Sequence, residues 1–458
     1  MLKEKMRWIF FADMLEDEYT ECLQEGRAVE TFRSEIDAVH GMDGGRRREE
    51  AARQLLLAME QAPVRPDFPY TEPDTYQEIA ALLPQAAAEE YAVDAAALPE
   101  HIRGAWQGRI SGCVLGIPVE GWPREKIAAY LKESGQLPLQ DYMQAVSDRQ
   151  LREKYGICRE DITTPYDRQE VCWRNYLDEY PNDDDINYSV IALKTMERYG
   201  LSFTPCDMAE AWLLGIPAFH ACTAERAAIR NLMNGLLPPD SAVACNPYRE
   251  WIGAQIRGDL FGYVCPGMPK KAARLAWNDA AVSHTKNGIY GEMFIAALLS
   301  LCYVKTLSMA DRIRLALLQI PEESRLHQAI HSVLTRYLQG GSFDAVVNDV
   351  HAAYDEKRQF DWCLTIPNAM LVTACILWHD SYDAAVAAAV QSGFDTDCNG
   401  ATVGSVFGLA GGIGSIAPKW WAGFAPVVNS SVHGYHRMSL DELCRRTEAL
   451  ARKELSLS

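Results

Sequence analysis

Two rows of glycine constrain this chain more than any other feature of its sequence. In "GAWQGRISGCVLG" the glycines fall at 104, 108, 112 and 116, and in "GATVGSVFG" at 400, 404 and 408. A glycine inside a helix costs about 1 kcal/mol relative to alanine, so rows of three and four need an offsetting gain. Spacing by four puts each row on one helix face and leaves a groove that a neighbouring backbone can enter. The rows therefore predict two helices deep in the core, closely packed, with each other as one candidate partner. Apolar residues at three and four spacing recur in "INYSVIALKTMERYG", "MFIAALLSLCYVKTL" and "PNAMLVTACILWHD", and strand-like alternation is scarce. The expected fold class is all-α. Residues 1–95 read as a helical extension whose stretch "APVRPDFPYTEPDT" is a proline-rich linker or extended arm, and residues 96–445 as one compact multi-helix domain.

Acidic clusters sit at the ends of these helices. The first glycine helix runs out at Glu120, and the second is preceded by Asp395 and Asp397 in "SGFDTDCNG". Between them, "YPNDDDINYSV" sets Asp183, Asp184 and Asp185 before an amphipathic stretch. Aspartate caps helix N-termini and complements the macrodipole, so either cluster taken alone also fits a cap or a solvated turn. Three in a row exceed what capping needs. Two clusters, each opening a helix of apolar or small residues, point to hard divalent cations held by carboxylate, hydroxyl and water ligands, Mg²⁺ or Mn²⁺ rather than zinc. The expectation is that these motifs converge in space.

Composition removes several alternatives. Lys plus Arg number 44 against 62 Asp plus Glu, a formal charge of -18, which argues against binding nucleic acid or anionic membrane through a basic surface. No apolar run is long enough for a membrane span, the opening "MLKEKMRWIFFADMLEDEYT" lacks the features of a signal peptide, and the 13 cysteines form no CxxC pair. A cytoplasmic protein with reduced thiols is expected. Nucleophile-elbow, Walker and Rossmann patterns are absent from the sequence. His327 and His331 are one helical turn apart but lack an evident third ligand.

With these motifs in this order, the sequence resembles the ADP-ribosylglycohydrolase family over roughly residues 100 to 425. "GRISGCVLGIPVE" is similar to the family's opening glycine-rich helix and its metal-site glutamate, which falls on Glu120. "NDDDINYSV" resembles its acidic motif, giving ligand roles to Asp183, Asp184 and Asp185, and "FDTDCNGATVG" with the following "GSIAPKW" resembles its late motif, giving them to Asp395 and Asp397. Where the family commonly has threonine, this chain has Cys398, a soft partner for Mg²⁺. "GAQIRGD", with Gly253 and Arg257, resembles a stretch lining the ADP-ribose pocket, and "SHTKNG" resembles the segment whose histidine, here His284, faces substrate.

The resemblance implies hydrolysis of the C1″ bond between ADP-ribose and an acceptor, on an ADP-ribosylated substrate, at a binuclear Mg²⁺ site. Glu120, Asp184 or Asp185 would take the proton from water. The pyrophosphate is expected on helix N-terminal amides near Gly411 and Gly412 in "GLAGGIG". A relative that binds ADP-ribose or a nucleotide without turnover, and a helical interaction protein with acidic caps, are the other classes open. The charged stretch "SDRQLREKYGICREDITTPYDRQE" reads as a lid or a partner surface.

Overall fold

Two helices of the extension, α1 (Leu15–Gln24) and α2 (Arg46–Glu60), precede the domain in the computed structural model, which describes residues 6–157 and 172–456. The domain then runs through α3 (Leu98–Gly116), α4 (Asp184–Tyr199), α5 (Thr223–Met233), α6 (Pro269–Ala280), α7 (Lys286–Cys302), α8 (Thr365–Trp378), α9 (Thr396–Gly411) and α10 (Leu440–Leu455), with further helices between them. Among the described residues one two-stranded antiparallel sheet interrupts the helices, pairing Val427–Asn429 with Arg437–Ser439. The protein is all-α.

The two glycine helices pack against each other. They run antiparallel at the centre of the domain, and Gly104, Gly108 and Gly112 lie against the carbonyls of Gly408, Gly404 and Gly400. A methyl group at any of these positions would come closer than 3.0 Å to a backbone oxygen of the partner helix. Gly116 abuts Thr396 in the same way, so the C-terminus of α3 lies beside the N-terminus of α9. Two hydroxyls reinforce this register. Thr396 Oγ1 donates to Gly116 O at 3.0 Å, and Tyr382 OH donates to Gly108 O at 3.0 Å. On the other side of α3, Trp106 Nε1 donates to Thr447 Oγ1 of α10 at 3.0 Å.

Burial of both glycine helices follows from this contact: Gly104–Gly116 and Thr396–Leu409 are buried along their whole lengths. The surrounding helices are apolar on nearly every side. In α7, Asn287 to Cys302 are all buried, and α8 contributes Ala369, Val372, Ala374, Cys375 and Ile376 to the same core. A helix hydrophobic all round belongs inside a large domain.

The proline-rich stretch is an arm laid along the domain. Glu72 pairs with Arg325 at 2.7 Å, Thr71 N donates to Glu323 O at 3.1 Å, and Trp277 Nε1 donates to Asp74 O at 2.9 Å. Ahead of it, the extension shares an apolar cluster with the domain, in which Met14, Leu15, Leu56 and Met59 meet Tyr248, Trp251, Phe360 and Leu364. Arg249 of the domain reaches into α1, bonding Glu18 at 2.8 Å and Glu25 at 3.0 Å, all three side chains being buried.

Candidate active site

Three helix termini meet at a cavity of about 420 Å³. Glu120 follows the last turn of α3, Asp184 opens α4, and Asp395, Asp397 and Cys398 open α9; all five line the cavity. The glycine register brings the first and third of these together, since it sets the end of α3 against the start of α9. A buried arginine brings in the second. Arg109, halfway along α3, donates through Nη2 to Asp185 O at 2.7 Å and to Asp185 Oδ1 at 3.0 Å, and its Nη1 lies 2.9 Å from Asp259 Oδ2. The first turn of α4 is thereby clamped onto α3.

The carboxylates on the cavity floor are held in an unfavourable state. Burial pushes Asp395 and Asp397 well above the ordinary carboxylate range, with the charge of Glu120 adding for Asp395 and that of Asp395 adding for Asp397. Asp185 is raised by burial as well, against the opposing charge of Arg109. Asp183 caps α4, its Oδ1 accepting from Asp185 N at 3.0 Å. Asp185 Oδ2 and Asp397 Oδ1 are buried without a hydrogen-bond partner. Leaving such atoms unmatched costs about 1–3 kcal/mol each, which a bound cation would offset.

Two sets of ligand atoms each lie within 4.8 Å of one another: those of Cys113, Asp183 and Asp185, and those of Asp185, Asp397 and Cys398. The orphaned carboxylate oxygens fit a hard cation. The sulfur atoms are the softer members of each set. Burial and the charges of Asp185 and Asp395 push the Cys398 thiol well up. Thr396, an alternative hydroxyl ligand by its position, spends its hydroxyl on Gly116 O. Asn399 Nδ2 donates to Asn368 Oδ1 at 2.7 Å, while its own Oδ1 is buried without a partner.

Of the other residues singled out in the sequence, Gly253 reaches the cavity and the rest lie elsewhere. Gly253 lines the cavity and lets the Glu225 carboxylate approach, where a methyl group would overlap it. Asp183 and Asp185 are fully buried behind the wall. Arg257 does not line the cavity; it is buried between Glu225 and Asp279, 2.6 Å from each, with its guanidinium 4.7 Å from the Trp212 ring, and so it holds Glu225 at the wall. His284 does not line it either. Its ring is buried, Nδ1 shares a hydrogen bond with Ser283 Oγ at 2.8 Å, and burial ahead of the Arg257 charge holds its pKa well down.

Gly411 and Gly412 require a correction. They sit at the C-terminus of α9, about 21 Å along the helix from Asp397. That end presents carbonyl groups and the negative pole of the helix, so it offers no amide cradle for a pyrophosphate. Residues 158–171, most of the charged stretch read as a lid or partner surface, lie outside the described residues, while Ile157 and Cys172 on either side line the cavity.

Several wall residues carry no signal in the sequence. The tryptophans at 8, 122, 173, 251 and 362 all line the cavity although they are scattered along the chain. Glu225 and the N-terminal Arg7 line it too. Arg109 does carry a signal in the sequence, as a charge in the middle of a glycine-rowed helix that must be buried.

A family profile described as ADP-ribosylglycohydrolase matches residues 94–455. The chain belongs to the ADP-ribosylglycohydrolase family. That places it in a class of glycosidic hydrolases acting on ADP-ribose linkages, typically metal-dependent, and the clustered buried carboxylates agree with the class. A solved structure titled an ADP-ribosylglycohydrolase-related protein complex is similar at 17% identity, covering 78% of this chain and 99% of that chain, with a TM-score of 0.46. No curated protein matches. Among the described residues no helix is long and apolar enough to cross a membrane.

Proposed function

We propose that this protein hydrolyses the C1″ glycosidic bond of ADP-ribose conjugates, using two divalent cations, Mg²⁺ with Mn²⁺ as the alternative. The observation that carries the reading is the meeting of Glu120, Asp184, Asp395 and Asp397 at one cavity, over buried carboxylate oxygens that lack partners. Asp183, Asp184, Asp185, Asp395 and Asp397 would hold the cations. When bound, they supply Lewis acidity toward the ribose hydroxyls and the anomeric centre and lower the pKa of water.

The chain's own groups divide the remaining work. Glu120 and Asp184 reach the cavity, so one of their carboxylates accepts the proton of the attacking water. Asp185 is engaged by Arg109, which favours it as a fixed ligand over a mobile base. The tryptophan walls exclude water from the reacting bond and offer flat apolar faces to a ribose or a purine. No disulfide joins two described cysteines, which fits a reducing compartment such as the cytoplasm.

A panel of differently linked ADP-ribose conjugates, assayed with Mg²⁺, Mn²⁺ or chelator, tests the reading. Cation-dependent release of ADP-ribose from at least one linkage is expected. One observation favours a second reading, a relative that binds ADP-ribose without turnover: a thiol, Cys398, stands among the carboxylates of one ligand set. Tight, cation-dependent binding with no release from any conjugate would select it.

A further inference from the structure

Among the described residues, the cavity is lined by five carboxylates, Glu120, Asp184, Glu225, Asp395 and Asp397, and by a single basic side chain, Arg7. Bound cations would offset Asp395 and Asp397, yet among the described lining residues no other basic side chain is there to receive an anion. Arg7 lies outside the span matched by the family profile. It is brought to the cavity by the extension.

Its placement is built. Arg226 on α5 is buried and donates to Arg7 O at 3.2 Å, Phe219 O at 2.7 Å and Ala221 O at 2.8 Å. The same guanidinium lies 5.1 Å from the centroid of the Trp8 ring, and that of Arg7 lies 4.9 Å from it. Trp8 takes a left-handed backbone, φ 61°, which turns the chain at this point. Phe11 N then donates to Glu49 Oε2 at 2.7 Å, tying the segment to α2. The backbone is pinned while the Arg7 side chain remains exposed at the cavity wall.

We infer that Arg7 is a specificity-determining residue that receives the diphosphate of the substrate, with Trp8 as its support, so that the extension completes the binding site. A diphosphate entering an acidic cavity needs a cationic partner, and a guanidinium offers paired donors that an ammonium does not. The inference rests on the reading that the substrate carries ADP-ribose.

The test compares the full-length wild type with Arg7→Ala and Arg7→Lys, in Mg²⁺, by calorimetric titration with ADP-ribose and with ADP. Arg7→Ala should weaken both ligands about tenfold, the scale of a lost charge-assisted hydrogen bond, and Arg7→Lys should fall between. The loss should shrink at high salt, and in turnover it should appear in KM more than in kcat. The Mg²⁺-dependent rise in melting temperature should be the same in all three proteins. Wild-type affinity retained in Arg7→Ala overturns the inference alone. A wild type that binds neither ligand overturns the functional reading and the inference together.

Discussion

Asp395 and Asp397 stand two residues apart at the start of α9, both buried and both raised first by that burial, with the charge of Glu120 adding at Asp395 and that of Asp395 adding at Asp397. Their repulsion makes the stability of the protein depend on what neutralises them. Chelator should therefore lower the melting temperature and Mg²⁺ or Mn²⁺ restore it by mass action. Replacing both with Asn removes the charge and nearly keeps the shape. The double variant should match chelated wild type in stability, or slightly exceed it, and lose the cation-dependent shift together with any turnover. A shift that survives would put the cations elsewhere. Glu60 offers a second residue-level test, away from the site. Its carboxylate accepts from Cys245 N, and burial first, then the charge of Glu18, pushes its pKa up to about 8. A carboxyl raised on folding contributes fully below its unfolded value near 4.5, and that contribution is lost as pH rises toward 8. Glu60→Gln keeps the acceptor and removes the titration. Relative to wild type it should gain roughly 4 kcal/mol between pH 5 and pH 8.5, read from urea unfolding at each pH. A constant difference across that range would show that Glu60 does not titrate as described.

At the scale of elements, the pair α3 and α9 decides where the acidic ends of the two helices sit. Its register follows from glycine faces that admit the opposite backbone, and it cannot slide without driving a side chain into a carbonyl. Even a methyl group should be disruptive there. Gly112→Ala is expected to cost about 1–3 kcal/mol or more through overpacking, and Gly44→Ala, at a position with nothing within 4 Å, should change stability little. The same Gly112 variant should weaken the cation-dependent shift in melting temperature, because the register sets Glu120 beside Asp395. Equal melting temperatures for the two variants would contradict the packing described. Glycine spacing and the acidic clusters were both legible in the sequence because each is a local pattern, and both describe helices correctly. Which end of α9 carries the acidic pair that lines the cavity was legible too, from Asp395 and Asp397. Gly411 and Gly412 misled because a glycine cluster reads alike at either end of a helix, while only the N-terminal end has free amides.

Across the whole molecule, the extension is joined to the domain through charge as well as apolar contact. Arg249 is buried among Glu18, Glu21 and Glu25, and Arg325 between Glu72 and Glu250. Breaking a buried pair leaves its partners charged and unmatched, which costs more than the pair contributes. Arg249→Met in the full chain should lose about 3–5 kcal/mol in denaturant unfolding, since Glu18 and Glu25 stay behind. A loss under 1 kcal/mol would show the network to be hydrated and loose. Trp251 and Cys363 pack against the extension on one side and line the cavity on the other, so loosening this interface should also be felt at the site.

The sequence by itself determined the all-α class, the close packing of two glycine-faced helices and the acidic clusters that open α4 and α9. Those properties are carried by spacing within one segment, and the period of a helix converts spacing into a face. Only the tertiary structure decided which groups touch. Arg257 and His284 sit in polar stretches of sequence that resemble pocket linings, yet partners from other segments, Glu225 and Asp279 for the first and buried surroundings for the second, draw them away from the cavity. Arg7, Trp8 and the other tryptophans reach the wall from positions no local pattern connects. An ion pair or a cavity wall is selected by the geometry of the whole fold, through desolvation and charge matching between segments far apart in the chain.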